Sequence, residues 1–350
     1  MGRFIRTGRL ILGLAVTALA LGLVLAAAGC GQDTTTTKAD TGKTAAEGGK
    51  GKLYVAVTGE GELEAGGGNM GMAIVDLDTR EVEMLNVADA AAPHGIMFTA
   101  DTSTAPNTRG RTATEQPKEV YLANAQGGVV NVVDVATGKT IESIPPPTDA
   151  LNTLAPCGMQ EGPDGIIWIS SMLDGKVYPL DPKTNTIGEA GPGGGDITDS
   201  ICGVSWSKDG KYAYLNNMTS SPGYIAKVTW PEGKLVSKIE NITTANPGLS
   251  VHQDEVTPDG KYLYATGGAD NTMIKIDMDT DEIVKTIDVG AETHSIVFTP
   301  DGKTAYIAVR HYPTENQSGV FVYDVETDTV TDRIAGIDAP LICGLILQQG

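Results

Sequence analysis

Short runs in which apolar and polar residues alternate recur from about residue 52 to the end of the chain. Each is too short for a stable helix and is closed by turn residues. Three segments share one frame: WSKDGKYAYLNN from Trp206, VTPDGKYLYATG from Val256 and FTPDGKTAYIAV from Phe298. EGPDGIIWISS from Glu161 and FTADTSTA from Phe98 are degenerate copies, the latter followed by an insertion. Each Asp-Gly predicts a tight turn between two strands. A third strand then ends in Asp-x-x-Thr, at Asp76/Thr79, Asp134/Thr137, Asp181/Thr184, Asp277/Thr280 and Asp324/Thr327; the unit after Trp206 has Trp230-Pro231-Glu232-Gly233 instead. A more polar fourth strand follows, as in EIVKTIDV from Glu282. Four antiparallel strands repeated in this way predict an all-β chain, a single β-propeller.

Counting innermost strands places their starts near His94, Cys157, Cys202, His252, His294 and Cys343, which gives six blades of four strands. The sixth innermost strand lies at the C-terminus, so its three partners are expected at Lys52–Thr58, Gly71–Asp76 and Glu81–Val87. The blade that comes first in the chain is then closed by both chain ends, which leaves no open sheet edge. The frame resembles the YVTN-type β-propeller repeat over most of residues 52–350, and distantly the haem d1 propeller of nitrite reductase and the propeller of nitrous oxide reductase. Propellers of this repeat often have seven blades, so seven is the alternative count. The resemblance implies the fold, while activity has to be argued from the site.

The N-terminal pattern is different. Arg3, Arg6 and Arg9 precede an apolar run from Leu10 to Ala28, and Ala27-Ala28-Gly29-Cys30 follows. Residues 1–29 read as a signal peptide. The junction resembles the lipobox of bacterial lipoproteins, which implies that Cys30 is lipidated; Ala27 departs from the larger aliphatic residue usual there. An uncleaved anchor is the alternative, and either version puts the domain outside the cytoplasmic membrane, in the cell envelope, with the membrane as partner. Residues 30–50 hold no large apolar residue beyond the anchoring cysteine and read as a tether, leaving 51–350 for the propeller. The formal charge of −19 is three units more negative without the N-terminal arginines, which argues against a nucleic-acid partner.

The chemistry lies in one register. His94, Cys157, Cys202, His252 and His294 each stand seven residues before Asp101, Asp164, Asp209, Asp259 and Asp301, and Cys343 stands seven before Gly350. These are six of the seven histidines and cysteines beyond Cys30; the seventh, His311, is expected in a loop at the same face. The following residue is small in five cases (Gly95, Gly158, Gly203, Ser295, Gly344), which lets the strands crowd the axis. A ring of imidazoles and thiols suits copper, zinc or iron rather than calcium or magnesium. Asp254 and Glu255 are candidate hydrogen-bond acceptors for a ligating histidine. Met70, Met72, Met172 and Met218 are expected near the ring, and thioethers beside it favour copper over zinc or iron.

Other uses of the ring stay open. It can be an inert plug, or Cys157 and Cys202 can form a disulfide. A haem over the channel is the weaker cofactor reading, and without Cys-x-x-Cys-His covalent c-type haem is excluded. PCGMQEGPDGIIWIS from Pro156 resembles one blade of the streptogramin-lyase type, which implies a channel histidine and a divalent cation, with Asn216, Asn217, Asp270 and Arg310 as polar neighbours. The expected function is therefore a metal-binding lipoprotein. A propeller lyase or hydrolase is one alternative, and a surface scaffold that binds a protein partner on its blade loops is another.

Overall fold

The computed structural model describes residues 50–58, 71–242, 251–268, 270–310, 319–337 and 341–350. Residues 1–49, which hold the expected signal peptide, Cys30 and nearly all of the expected tether, lie outside these residues, as do Met70 and His311. No helix among the described residues is long and apolar enough to cross a membrane.

The chain begins with strands β1 (Gly51–Thr58), β2 (Gly71–Asp76) and β3 (Val82–Asn86). A blade follows from β4 (Pro93–Phe98), β6 (Glu119–Asn124), β7 (Val129–Asp134) and β8 (Thr140–Ile144), with the two-residue β5 (Thr112–Ala113) inside the connection from β4 to β6. The next is β9 (Pro156–Glu161), β10 (Ile167–Ser171), β11 (Val177–Asp181) and β12 (Thr186–Ile187). Then come β13 (Val204–Trp206), β14 (Tyr212–Asn217), β15 (Tyr224–Thr229) and β16 (Leu235–Ile239). Two more blades are β17 (Asp254–Val256) to β20 (Glu282–Asp288), through β18 (Tyr262–Thr266) and β19 (Thr272–Asp277), and β21 (Thr293–Phe298) to β24 (Thr329–Ile334), through β22 (Thr304–Val309) and β23 (Gly319–Asp324). The last strand, β25 (Leu341–Gln349), pairs with β1 in the order β25-β1-β2-β3, with Gly51 opposite Gln349 and Tyr54 opposite Ile346. The fold is a six-bladed propeller whose final blade joins the two ends of the domain.

The repeat frame works through its aspartates. Asp209 accepts hydrogen bonds from the Ser207 hydroxyl and the Lys211 amide; Asp259 accepts from Thr257 and Lys261, and Asp301 from Thr299 and Lys303. The glycine after each aspartate has positive φ (70° at Gly210, 76° at Gly260, 68° at Gly302), a conformation that favours glycine. The Asp-x-x-Thr turns are tied the same way, Asp134 accepting from the Thr137 amide and Asp324 from the Thr327 amide.

Burial falls from the axis outward. β4 and β21 are buried at every position, whereas β20, an outermost strand, is exposed at all but one. Apolar faces of neighbouring blades make the cores. One cluster joins Leu53, Val55 and Val75 of the closing blade to Val297, Tyr306 and Val322 of the blade before it. This is the sheet-on-sheet burial that holds a propeller together.

The insertion after β4 leaves from the end of the channel opposite the expected ring. Its β5 pairs in parallel with β25, Thr112 opposite Leu347, and this carries Arg111 into the channel.

Candidate metal centre at one end of the channel

His94, Cys157 and His294 lie near the starts of β4, β9 and β21, and Cys343 is the third residue of β25; Cys202 and His252 each precede an innermost strand by two residues. The glycines beside them explain how six strands converge. A Cβ on Gly95 would collide with the Cys157 carbonyl, one on Gly158 with the Cys202 carbonyl, and one on Gly344 would press on the His94 carbonyl. These positions need glycine because the neighbouring backbone occupies the side-chain space.

Three ring members form a compact donor set. One ligand atom each from His94, His294 and Cys343 lie within 4.8 Å of one another, and all three residues are buried. They come from three successive blades. His94 Nδ1 stands 2.9 Å from the Ala92 carbonyl. A carbonyl only accepts, so Nδ1 carries a proton and Nε2 is the nitrogen through which His94 would ligate. The Thr58 hydroxyl donates to the Pro93 carbonyl at 2.6 Å, which leaves its oxygen facing Cys343 Sγ at 3.9 Å as an acceptor.

His294 stands apart in its bonding. It is fully buried, yet neither ring nitrogen has a hydrogen-bond partner of good geometry. Burial first, then the charges of His252, Arg310 and His94, hold its pKa well below the usual imidazole value; the Cys343 backbone pulls weakly the other way. The ring is therefore neutral, the form that ligates metal. His252 lies against it, ring centroids 4.5 Å apart and tilted by 40°, but is not part of the three-donor set.

The expected six-donor ring is corrected at three positions: His252 stands outside the three-donor set, and the other two are cysteines. Cys157 and Cys202 are joined as a disulfide, with Cα atoms 5.0 Å apart, a spacing that permits bridging. A disulfide sulfur has no thiolate charge to offer a metal, so both leave the donor set. Met218 and Met172 pack on this disulfide. Met72 lies in β2 rather than in a loop, fully buried in a core cluster that includes Tyr54, Ile74 and the ring residue Cys343.

Asp254 and Glu255 do not accept hydrogen bonds from a ring histidine among the described residues. Asp254 Oδ1 takes Asn216 Nδ2 at 3.4 Å, and Glu255 takes both hydrogen bonds of Gln160 Nε2 at 3.0 Å and faces Arg111 Nη1 at 3.5 Å. Arg111 also donates to the Leu345 carbonyl. Burial pushes Asp254 up to about 8, with the Glu255 charge adding to it, and pushes Glu255 up to about 7 against the pull of Arg111. Below the ring the channel is thus closed by a buried ionic cluster. Sequence reasoning passed over Arg111, although a Gly110-Arg111 pair in an insertion, in so acidic a chain, was a visible signal.

Three of the polar neighbours expected of a lyase, Asn216, Asn217 and Arg310, have partners of their own, and the first and last lie beside the ring. Asn216 accepts from the amides of Cys202 and Gly203 at 3.0 Å and donates to the His252 carbonyl, so it fixes the ring backbone. Asn217 accepts from the Thr219 amide and donates to Tyr224. Arg310 pairs with Glu292 at 3.5 Å.

The chain matches no family profile. It is 29% identical over 99 residues to eukaryotic translation initiation factor 3 subunit I from Candida albicans, across 28% of this chain. The chain spans about a quarter (27%) of the length of that relative. Among solved structures it is similar to a protein of unknown function from Bacteroides caccae, with a TM-score of 0.56 and 11% identity over 85% of this chain and 99% of that one. It is also similar to a 6-phosphogluconolactonase-like protein from Bacteroides uniformis, with a TM-score of 0.50 and 17% identity over 83% of each chain. At such identities these likenesses establish the β-propeller and nothing of its activity.

Proposed function

We propose that this protein is a metal-binding propeller of the cell envelope, with one transition-metal ion, copper, held by His94, His294 and Cys343. The observation that carries the reading is His294. A fully buried imidazole neither of whose nitrogens has a hydrogen-bond partner of good geometry is rare in a folded protein, and here two further ligand atoms stand within 4.8 Å of it. Two histidines and one cysteine are also the donor set with which copper serves electron transfer, ahead of zinc or iron. Copper supplies one-electron redox chemistry there. The chain's own work is to orient His94 through the Ala92 carbonyl, to hold Cys343 beside Thr58, and to keep water out by burying all three.

The envelope location rests on residues 1–29 as signal peptide and Cys30 as lipid attachment point. The Cys157–Cys202 disulfide supports an oxidising compartment. The YVTN-type repeat is the best description of the blade sequence.

Elemental analysis of the intact protein, purified without an affinity-metal step, tests the site. About one copper per chain is expected, with an intense visible thiolate-to-copper(II) absorption that Cys343→Ser abolishes. A metal-free protein that takes up neither copper nor zinc on titration would overturn the reading. Cys30→Ala should release the protein from the membrane fraction; unchanged retention would refute the lipid anchor.

A further inference from the structure

The disulfide is surrounded by more sulfur than a structural bridge needs. Cys157, Cys202 and Met218 form one buried cluster, and Met172 packs against it. The arrangement is a repeated unit. Met172 is the first residue after β10, and its amide donates to the Ala155 carbonyl, two residues before Cys157. Met218 is the first residue after β14, and its amide donates to the Ser200 carbonyl, two residues before Cys202. Each of two adjacent blades therefore brings one cysteine at the ring register and one methionine tied by the same backbone bond. Both cysteines are fully buried, while Met172 is only half-buried and marks the side nearest solvent.

We propose that Cys157 and Cys202, once reduced, form with Met172 and Met218 a second metal site, selective for a soft monovalent ion of the Cu(I) class. Two thiolates and two thioethers are the ligand types that such an ion prefers over imidazole or carboxylate. The bond between the two sulfurs places the thiols on one side of one small space, so opening it leaves them within chelating distance. A dithiol supplies the reduction. Its two electrons and two protons pass to Cys157 and Cys202 as the S–S bond breaks, while the dithiol closes to its own disulfide. Cu(I) binding then releases to solvent one proton for each thiol that becomes a thiolate. In the oxidised protein this site does not exist. It shares no ligand with His94, His294 and Cys343, so it does not depend on the copper reading of those residues.

The test is titration of the full-length protein with Cu(I), in competition with a chromogenic Cu(I) chelator, before and after reduction by a small dithiol and anaerobic desalting. The oxidised form reports the His94, His294 and Cys343 donors alone, and the difference between forms reports the sulfur site. The reduced chain is expected to take one more Cu(I) than the oxidised chain. Met172→Leu with Met218→Leu, which leaves both cysteines in place, should weaken that additional ion about tenfold or more, and Cys157→Ser should remove it. Equal uptake in the two redox states overturns the proposal, and so does an additional ion insensitive to the methionine pair. Loss of the near-ultraviolet dichroism of the fold on reduction also overturns it, because an unfolded chain separates the thioethers from the thiols. An oxidised chain that binds nothing, beside a reduced chain whose one ion needs Met172 and Met218, would sink the His94–His294–Cys343 site and leave this one standing.

Discussion

Arg111→Met tests whether the channel cluster is a titrating ionic device or inert filling. Glu255 faces Arg111 at 3.5 Å with both residues buried, and its pKa is raised to about 7 from an ordinary value near 4.3. A raised folded-state pKa means that between about pH 4 and 7 the folded chain holds a proton the unfolded chain has released. Stability from this group is therefore fully present at acid pH and declines as pH rises. Arg111 limits that decline above pH 7, where Glu255 ionises against it. In the variant Glu255 stays protonated, because an uncompensated buried carboxylate costs more than taking a proton. Below pH 7 both chains carry neutral Glu255, and they differ by a pH-independent amount: about 1 kcal/mol for the hydrogen bond to the Leu345 carbonyl, offset by relief from burying a guanidinium. Above pH 7 the variant keeps losing about 1.4 kcal/mol per pH unit, a loss that ionisation of Glu255 against Arg111 ends in the wild type. The penalty measured by urea unfolding should thus be about 1.4 kcal/mol larger at pH 8 than at pH 6. Adding Glu255→Gln should remove the difference. A penalty equal at the two pH values within about 0.5 kcal/mol would refute the ionic account.

The disulfide closes a loop of 45 residues, so Cys157→Ser with Cys202→Ser should lower stability by about 4 kcal/mol in urea unfolding; a loss under about 1 kcal/mol would mean that the unfolded state is little constrained by it. Gly158→Ala must push the Cys202 carbonyl aside and should cost about 2 kcal/mol or more, whereas alanine at Gly290, with open space around its side-chain position, strains only its own backbone. Equal melting temperatures for Gly158→Ala and wild type would show that the innermost strands are not in close contact. His252→Ala, next to the donor set but outside it, should leave bound copper at about one per chain, while His294→Ala should reduce it at least tenfold; the reverse order would reassign the ligands.

The fold was legible because the repeat writes its own physics. Asp209, Asp259 and Asp301 each cap a turn whose next residue must be glycine, so the strand pairs around them follow from local chemistry. The closing blade was legible for a different reason: a lone innermost strand at Cys343 needs three partners, and β1 to β3 were the only unassigned strands. The ring was legible because register, not neighbourhood in sequence, brings His94 and His294 together. The state of the cysteines was not, since a thiol and half a disulfide look alike in a sequence; only the distance between Cys157 and Cys202 decides. Glu255 was read as an acceptor for a ligating histidine because it sits just inside the blade that carries His252. Its actual partners, Gln160 and Arg111, come from another blade and from an insertion without the repeat frame. Met72 falls inside the strand expected at Gly71–Asp76, which β2 matches, so its place in the blade core follows from that strand.

Six equivalent positions need not perform one task, and the identities of their occupants show how the symmetry is divided. The two adjacent cysteines cross-link two blades, whereas Cys343, flanked by His294 and His94, forms no disulfide among the described residues. His252, between the disulfide and His294, adds its positive field to the forces that keep His294 neutral. The same backbone register thus yields a locked side and an open side of one channel. Which side a blade serves is set by whether its neighbour carries sulfur or imidazole. Exchanging a single residue redraws that boundary: Cys202→His frees Cys157 as a thiol next to His94, and should add a thiolate to the metal-binding side without altering any strand.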